Sequence, residues 1–205
     1  ISTPITFNYT VTTQGGNCTP ASLLGTITVN PNDVLALSSA VGTENQVLCD
    51  ADSLNTIVYE FSGGATTATV SGLPVGVNAI VTSNNVTISG TPPAATGATQ
   101  VYPYTVTTSG ACDDASLSGT ITVDPNDELS LLSGTDSQEL CEGNPITNII
   151  YEFSGGANDA NVSGLPAGVN AVVTSNNITI LGTPTGPIST PITFNYTVTT
   201  QGGNC

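Results

Sequence analysis

"SGGATTATVSGLPVGVNAIVTSNNVTISGTP" occupies residues 62–92, and a close variant, "SGGANDANVSGLPAGVNAVVTSNNITILGTP", occupies residues 154–184. Inside the first copy, "NAIVTSNNVTISG" reads as two alternating runs around a Ser83-Asn84 turn, the pattern of a β-hairpin. Gly72-Leu73-Pro74 and Gly90-Thr91-Pro92 punctuate it as turns. The fold of the chain follows from this unit and its recurrence.

The two copies are offset by 92 residues, and "GTITVNPND" at 25–33 returns as "GTITVDPND" at 119–127, an offset of 94. "YTVTTQGGNC" at 9–18 returns as "YTVTTSGAC" at 104–112 and unchanged at 196–205. Eighteen residues, "ISTPITFNYTVTTQGGNC", stand at 1–18 and again at 188–205. Fixed self-similarity of this kind marks an array of repeated domains. The expected organisation is the C-terminal part of an upstream repeat at 1–29, a complete repeat at 34–123, and a repeat at 128–205. That last repeat lacks the counterpart of "SLSGTITV". A periodic excerpt of one continuous filament explains the identical ends, and is preferred. A strand donated by a neighbouring subunit is the alternative.

Strand signals recur every eight to twelve residues through the complete repeat. "TIVYEFSGG" sets Ile57, Tyr59 and Phe61 on one face and Val58 and Glu60 on the other. "VYPYTVTTSG" sets Tyr102, Tyr104 and Val106 against Thr105 and Thr107, and "LSGTITV" aligns Leu117, Ile121 and Val123. Helix formers are scarce, while Gly and Pro number 22 and 13. About seven short strands in ~90 residues is the rhythm of an immunoglobulin-like β-sandwich. A barrel of equal strand count is the competing architecture. The fold expected is all-β: tandem immunoglobulin-like sandwiches in a linear array.

Composition narrows the function. The 205 residues include 15 acidic ones and no Lys, Arg, His, Met or Trp, for a formal charge of −15. Such a surface repels phosphates and anionic lipid, so neither nucleic acid nor a membrane surface is an expected partner. No apolar run approaches the ~20 residues needed to cross a bilayer. Without His or Lys, the usual general bases and activated nucleophiles cannot be built, and no acidic pair sits in a recognisable catalytic pattern. The chain is not expected to be an enzyme.

The run "GLPVGVNA…NNVTISGTP…YTVTTSGAC…GTITV" resembles the Ig-like repeats of giant secreted surface proteins of Bacteroidetes, the SprB-like gliding-motility adhesins exported by the type IX pathway among them. The resemblance spans essentially the whole chain. It implies an extracellular, cell-surface filament or stalk of many domains, serving adhesion or gliding, without catalytic residues.

Each repeat carries two cysteines: Cys49 and Cys141 before the first long strand, and Cys18, Cys112 and Cys205 at the turn before the last strand. Regular spacing without His or a CxxC pair suits disulfides in an oxidising compartment. Pairing within repeats joins Cys49 to Cys112 and Cys141 to Cys205 and leaves Cys18 for a partner upstream. The rival pairing, Cys49 with Cys205, staples neighbouring repeats. Under the within-repeat scheme Asp50, Asp52, Asp113 and Asp114 crowd one pole beside Asp33. Hard oxygens at a joint between domains suit Ca²⁺, and a solvated acidic pole is the plain alternative. The expected partners are neighbouring repeats. Surface glycans are a further candidate, against which stands the lack of Trp for stacking on sugars.

Overall fold

A computed structural model of the chain describes residues 3–186 and 189–205. Ile1, Ser2 and Ile188, which open the two copies of the repeated eighteen residues, lie outside the described residues. Every regular element described is a β-strand. Contacts divide the chain into two compact units. Unit 1 comprises Ile1–Gln46, Ser53–Pro92 and Val101–Ile121; unit 2 comprises Val47–Asp52, Pro93–Gln100 and Thr122–Cys205.

Unit 1 begins with a hairpin of β1 (Ile5–Thr12) and β2 (Ser22–Val29), paired in register from Ile5↔Val29 to Thr12↔Ser22. Its outer apolar residues, Phe7, Val11, Leu23 and Leu24 among them, are exposed. Eight strands follow: β3 (Asp33–Leu37), β4 (Asn45–Cys49), β5 (Ile57–Gly63), β6 (Ala65–Ser71), β7 (Val77–Val81), β8 (Asn85–Gly90), β9 (Gln100–Gly110) and β10 (Ser116–Asp124). They form two four-stranded sheets, ordered β3-β5-β8-β7 and β4-β10-β9-β6. This is an immunoglobulin-like sandwich.

The alternation read from sequence sets the inner faces. Ile57, Tyr59 and Phe61 of β5, Val86 and Ile88 of β8, Tyr104 and Val106 of β9, and Ile121 and Val123 of β10 are all buried. Each such side chain contributes about 1.5–3 kcal/mol relative to exposure. Leu117 shares the inner row of β10 but lies exposed beyond the core. The hairpin turn falls at Ser83-Asn84, where Thr82 N–H donates to the Asn85 carbonyl at 2.8 Å. Thr108, buried in β9, spends its hydroxyl on the next turn, accepting from Ala115 N–H at 2.8 Å. Thr13 and Ala21 repeat that clamp in the first hairpin at 3.0 Å.

The two sheets meet through tyrosines. The Tyr59 and Tyr104 hydroxyls lie 3.0 Å apart in the core, and the Tyr104 hydroxyl donates to the Glu44 carbonyl at 3.1 Å. That carbonyl also accepts from Thr120 N–H at 3.0 Å. The Tyr104 ring leaves no room for a side chain on β10: a Cβ at Gly119 would collide with it and with the Glu44 carbonyl.

In unit 2, β11 (Asp127–Ser133), β12 (Ile149–Gly155), β13 (Asp159–Ser163), β14 (Val169–Val173), β15 (Asn177–Gly182) and β16 (Thr197–Gln201) repeat the plan incompletely. The first sheet, β11-β12-β15-β14, has its four strands, while the second is reduced to β13-β16. Ile149, Phe153, Val169, Ile178 and Ile180 still form a core. Residues 137–141, the counterpart of β4, form no strand. Their amide anchor survives: Gln138 contacts Thr147 as Gln46 contacts Asn55, each through a side-chain donor and a side-chain acceptor. In the complete sandwich β4 pairs with the last strand β10, and nothing described takes that place beside residues 137–141.

The linkers are packed. Gly64 N–H donates to the Asn32 carbonyl at 3.0 Å in unit 1, and Gly156 N–H to the Asn126 carbonyl at 3.1 Å in unit 2. Gly63 and Gly155 adopt φ of 69° and 70°, and a Cβ on either would strike the same carbonyls, so "SGG" accompanies "PND" in both repeats.

Burial disfavours the phenolate and raises both core tyrosine hydroxyls above the ordinary value of 10.0; the Glu44 charge adds to this. The folded chain therefore keeps protons that the unfolded chain releases at high pH, so stability is full below about pH 10 and falls as pH rises further. Tyr104→Phe leaves the Tyr59 hydroxyl without its partner and should cost about 1–3 kcal/mol. Urea unfolding followed by circular dichroism at neutral and strongly alkaline pH checks both expectations. Unchanged midpoints would contradict them.

Candidate functional site

The sequence-derived site residues converge on the segment that follows β4. Cys49 closes that strand, and the chain turns at once through Ala51, the one described residue other than glycine with positive φ, at 70°. Asp52 stabilises the turn: its carboxylate accepts from Cys49 N–H at 3.2 Å, and its own N–H donates to the Cys49 carbonyl at 3.0 Å. This short segment, Val47–Asp52, belongs to unit 2.

There Cys49 is bonded to Cys205, with Cα atoms 5.7 Å apart. This corrects the preferred pairing. Neither Cys49–Cys112 nor Cys141–Cys205 forms, and Cys18, Cys112 and Cys141 are free thiols. The observed bond is the rival one, between the early cysteine of one repeat and the turn cysteine of the next. Spacing identifies which cysteines are equivalent. It does not reveal that Val47–Asp52 packs with the following repeat.

Around the bond, carboxylates act as structural acceptors. Asp50 takes Ala95 N–H at 2.7 Å and Asn126 N–H at 3.3 Å, tying the loop before β9 and the linker before β11 to the Cys49 turn. Asp124, buried, accepts from the Thr99 hydroxyl and from the Asn204 amide, the latter at 3.0 Å. The Cys205 sulfur lies 3.7 Å from the Asp124 carbonyl. From sequence, Asp124 stands out with Asn126, Asp127 and Glu128 as the linker "DPNDE", a second calcium candidate or a plain joint. The structure commits the Asp124 carboxylate to Thr99 and Asn204 instead. Asn204 is not singled out, its one readable signal being the turn cysteine beside it.

The calcium set does not assemble as expected. Its premise was a Cys49–Cys112 bridge crowding four carboxylates at one pole. Asp50 and Asp52 fall in unit 2, whereas Asp33, Asp113 and Asp114 fall in unit 1. Asp113 and Asp114 are exposed, and Asp113 meets Asp33 through the backbone, its carbonyl accepting Asp33 N–H at 3.1 Å. The Asp33 carboxylate is buried against Gly64 and Gly110 with no hydrogen-bond partner, and Asp127 is held similarly by Gly156 and Gly203. Among the described residues no group of three or more His, Cys, Asp or Glu side chains is placed to hold a metal ion. Among them, too, no helix is long and apolar enough to cross a membrane.

The bond spans 156 residues of sequence, and closing so long a loop stabilises the folded state by up to about 5 kcal/mol. Cys205→Ser should therefore lower the urea midpoint of unit 2 strongly under oxidising conditions, and Cys112→Ser should leave it unchanged. The reverse ranking, or indifference of the wild type to reductant, would contradict the assignment.

No family model and no curated protein matches this chain. Solved structures do. A chimeric titin Z1Z2 carrying an exogenous decorin peptide is 12% identical, covers 83% of this chain and 89% of its own, and has a TM-score of 0.33. The titin Ig tandem A164-A165 is 7% identical over 84% of this chain and 90% of its own, with a TM-score of 0.34. Extracellular cadherin domains 1–4 of protocadherin gamma B7 are 13% identical over 96% of this chain and 57% of their own, with a TM-score of 0.38.

Proposed function

We propose that the chain is a non-catalytic structural segment of an extracellular bacterial surface filament or stalk, serving adhesion or gliding as its resemblance to SprB-like repeats implies. Its partners on this reading are further repeats of the same kind. The observation that carries it is the cysteine pattern. Cys49 is bonded to the turn cysteine of the following repeat. Free Cys112 is placed as Cys205 is, its thiol 3.7 Å from the Asn30 carbonyl where Cys205 lies 3.7 Å from the equivalent Asp124 carbonyl. In an extended array each early cysteine joins the turn cysteine ahead of it, and Cys112 and Cys141 find partners in flanking repeats. Such bonds persist outside the reducing cytosol. The absence of Lys and Arg leaves trypsin nothing to cut, which also suits an exposed location.

Antibodies raised against the 205-residue chain should label filaments on intact, unpermeabilised cells of the source organism. Peptide mapping of the unreduced native material should recover Cys112 and Cys141 in disulfides. Labelling only after permeabilisation, or both thiols free in native material, would overturn the proposal.

A further inference from the structure

A "PND" linker precedes each of the two sandwiches, at residues 31–33 and 125–127, and its two aspartates share an anomaly. Asp33 is 8% exposed, and neither of its carboxylate oxygens has a hydrogen-bond partner among the described residues. Asp127 Oδ1 is buried without one as well. A buried carboxylate is ordinarily paired with a base or bound to a metal ion. This chain contains no Lys, Arg or His, so no side chain of its own can bring the positive charge. The nearest amides are committed elsewhere. Asp33 N–H donates to the Asp113 carbonyl at 3.1 Å and Gly64 N–H to the Asn32 carbonyl at 3.0 Å. In the second repeat Gly156 N–H donates to the Asn126 carbonyl at 3.1 Å.

What faces these carboxylates is oxygen, around a space that glycine leaves open. A Cβ on Gly110 would strike Asp33 Oδ1 and the Gly64 carbonyl together. One on Gly64 would strike the Pro31 carbonyl and lie 3.0 Å from Asp33 Oδ1. The second repeat has the same cradle. A Cβ on Gly203 would strike Asp127 Oδ1, and one on Gly156 would lie 2.6 Å from the Pro125 carbonyl oxygen and 3.0 Å from Asp127 Oδ1. A flanking repeat does not bring the donor that the carboxylate lacks. Val47–Asp52 and Pro93–Gln100, from the preceding repeat, pack into unit 2, and Asp127 Oδ1 is still without one.

We propose that each "PND" aspartate binds a Ca²⁺ ion, one per repeat. In the first repeat the Asp33 carboxylate holds it with the Pro31 and Gly64 carbonyls. In the second, Asp127 holds it with the Pro125 carbonyl. A set of one carboxylate and backbone carbonyls, completed by water, suits Ca²⁺, which accepts about six to eight oxygens in flexible geometry. Mg²⁺ demands a stricter octahedron and gives up its water reluctantly. This is not the acidic pole expected from sequence, since Asp50, Asp52, Asp113 and Asp114 take no part. A single carboxylate makes the binding weak, on the order of 10⁻⁴–10⁻³ M, the range of extracellular modules. The ion neutralises the buried charge and ties the linker to the "SGG" turn and to the turn before the last strand. It thereby fixes how the chain enters each sandwich, and it explains why Gly64 and Gly110 accompany Asp33 as Gly156 and Gly203 accompany Asp127.

The test titrates CaCl₂ into the 205-residue chain at constant ionic strength and follows its amide NMR signals. Saturable shifts should appear at Asp33, Gly64 and Gly110, and at Asp127, Gly156 and Gly203. Asp33→Asn should weaken binding at the first set about tenfold or more and leave the second set unchanged. Asp127→Asn should do the reverse. Asp33→Asn keeps the shape and removes an uncompensated charge, so its urea midpoint in chelator should equal or exceed that of the wild type. The wild-type midpoint should rise when Ca²⁺ is added. Asp113→Asn, on the exposed pole, should alter neither reading. No saturable shift by about 10 mM, ten times the weakest affinity expected, would overturn the proposal. So would shifts confined to Asp113 and Asp114, an equal response to MgCl₂, or an unaltered response in Asp33→Asn.

Discussion

Two tyrosine hydroxyls meeting in the middle of the sandwich govern most of what surrounds them. Tyr59 reaches from one sheet and Tyr104 from the other, and the Glu44 carbonyl takes the remaining proton. A buried polar pair of this kind is tolerable only when every group in it is satisfied. The requirement propagates. It fixes where the chain enters β4 and demands glycine at position 119 beneath the ring. It also spaces the two inner faces so that small and branched side chains can fill the gap without tryptophan. In unit 2 the same pair forms from Tyr151 and Tyr196 although the second sheet is only partly built. The tyrosine contact therefore forms without a last strand beside it.

Much of the fold was legible because alternation is a direct record of burial. Ile57, Tyr59 and Phe61 read as one face and are one face, and the Ser83-Asn84 turn falls where the two runs reverse. Leu117 shows the limit: period alone places it on the inner row but cannot say where the opposing sheet ends. The site was less legible. Cys49 and Cys112 are separated by a plausible loop, and nothing in their spacing distinguishes a bond within a repeat from one between repeats. The decision lies in tertiary packing that assigns Val47–Asp52 and Pro93–Gln100 to the second unit. The acidic pole inherited that error, since Asp50 is committed to two backbone amides rather than held open for a cation.

Identical sequence in different surroundings separates propensity from partnership. "ITFNYTVT" is fully extended and paired at Ile5–Thr12, yet its first half is irregular at residues 192–196. Strand formation here is decided by the availability of a neighbour, as expected where β propensity reflects packing more than backbone preference. Residues 137–141 make the same point from the other side. They keep the glutamine anchor of β4 but lose the strand, because hydrogen bonds to one loop cannot replace a missing ladder.

The bond between Cys49 and Cys205 also fixes how the chain can lengthen. Tension that enters before Cys49 and leaves at Cys205 crosses through sulfur and never loads the residues between. A released chain extends ~3.3–3.6 Å per residue, so the 156-residue separation withholds on the order of 500 Å of slack. Oxidised, this stretch behaves as a cord of set length; reduced, it becomes a reel that pays out.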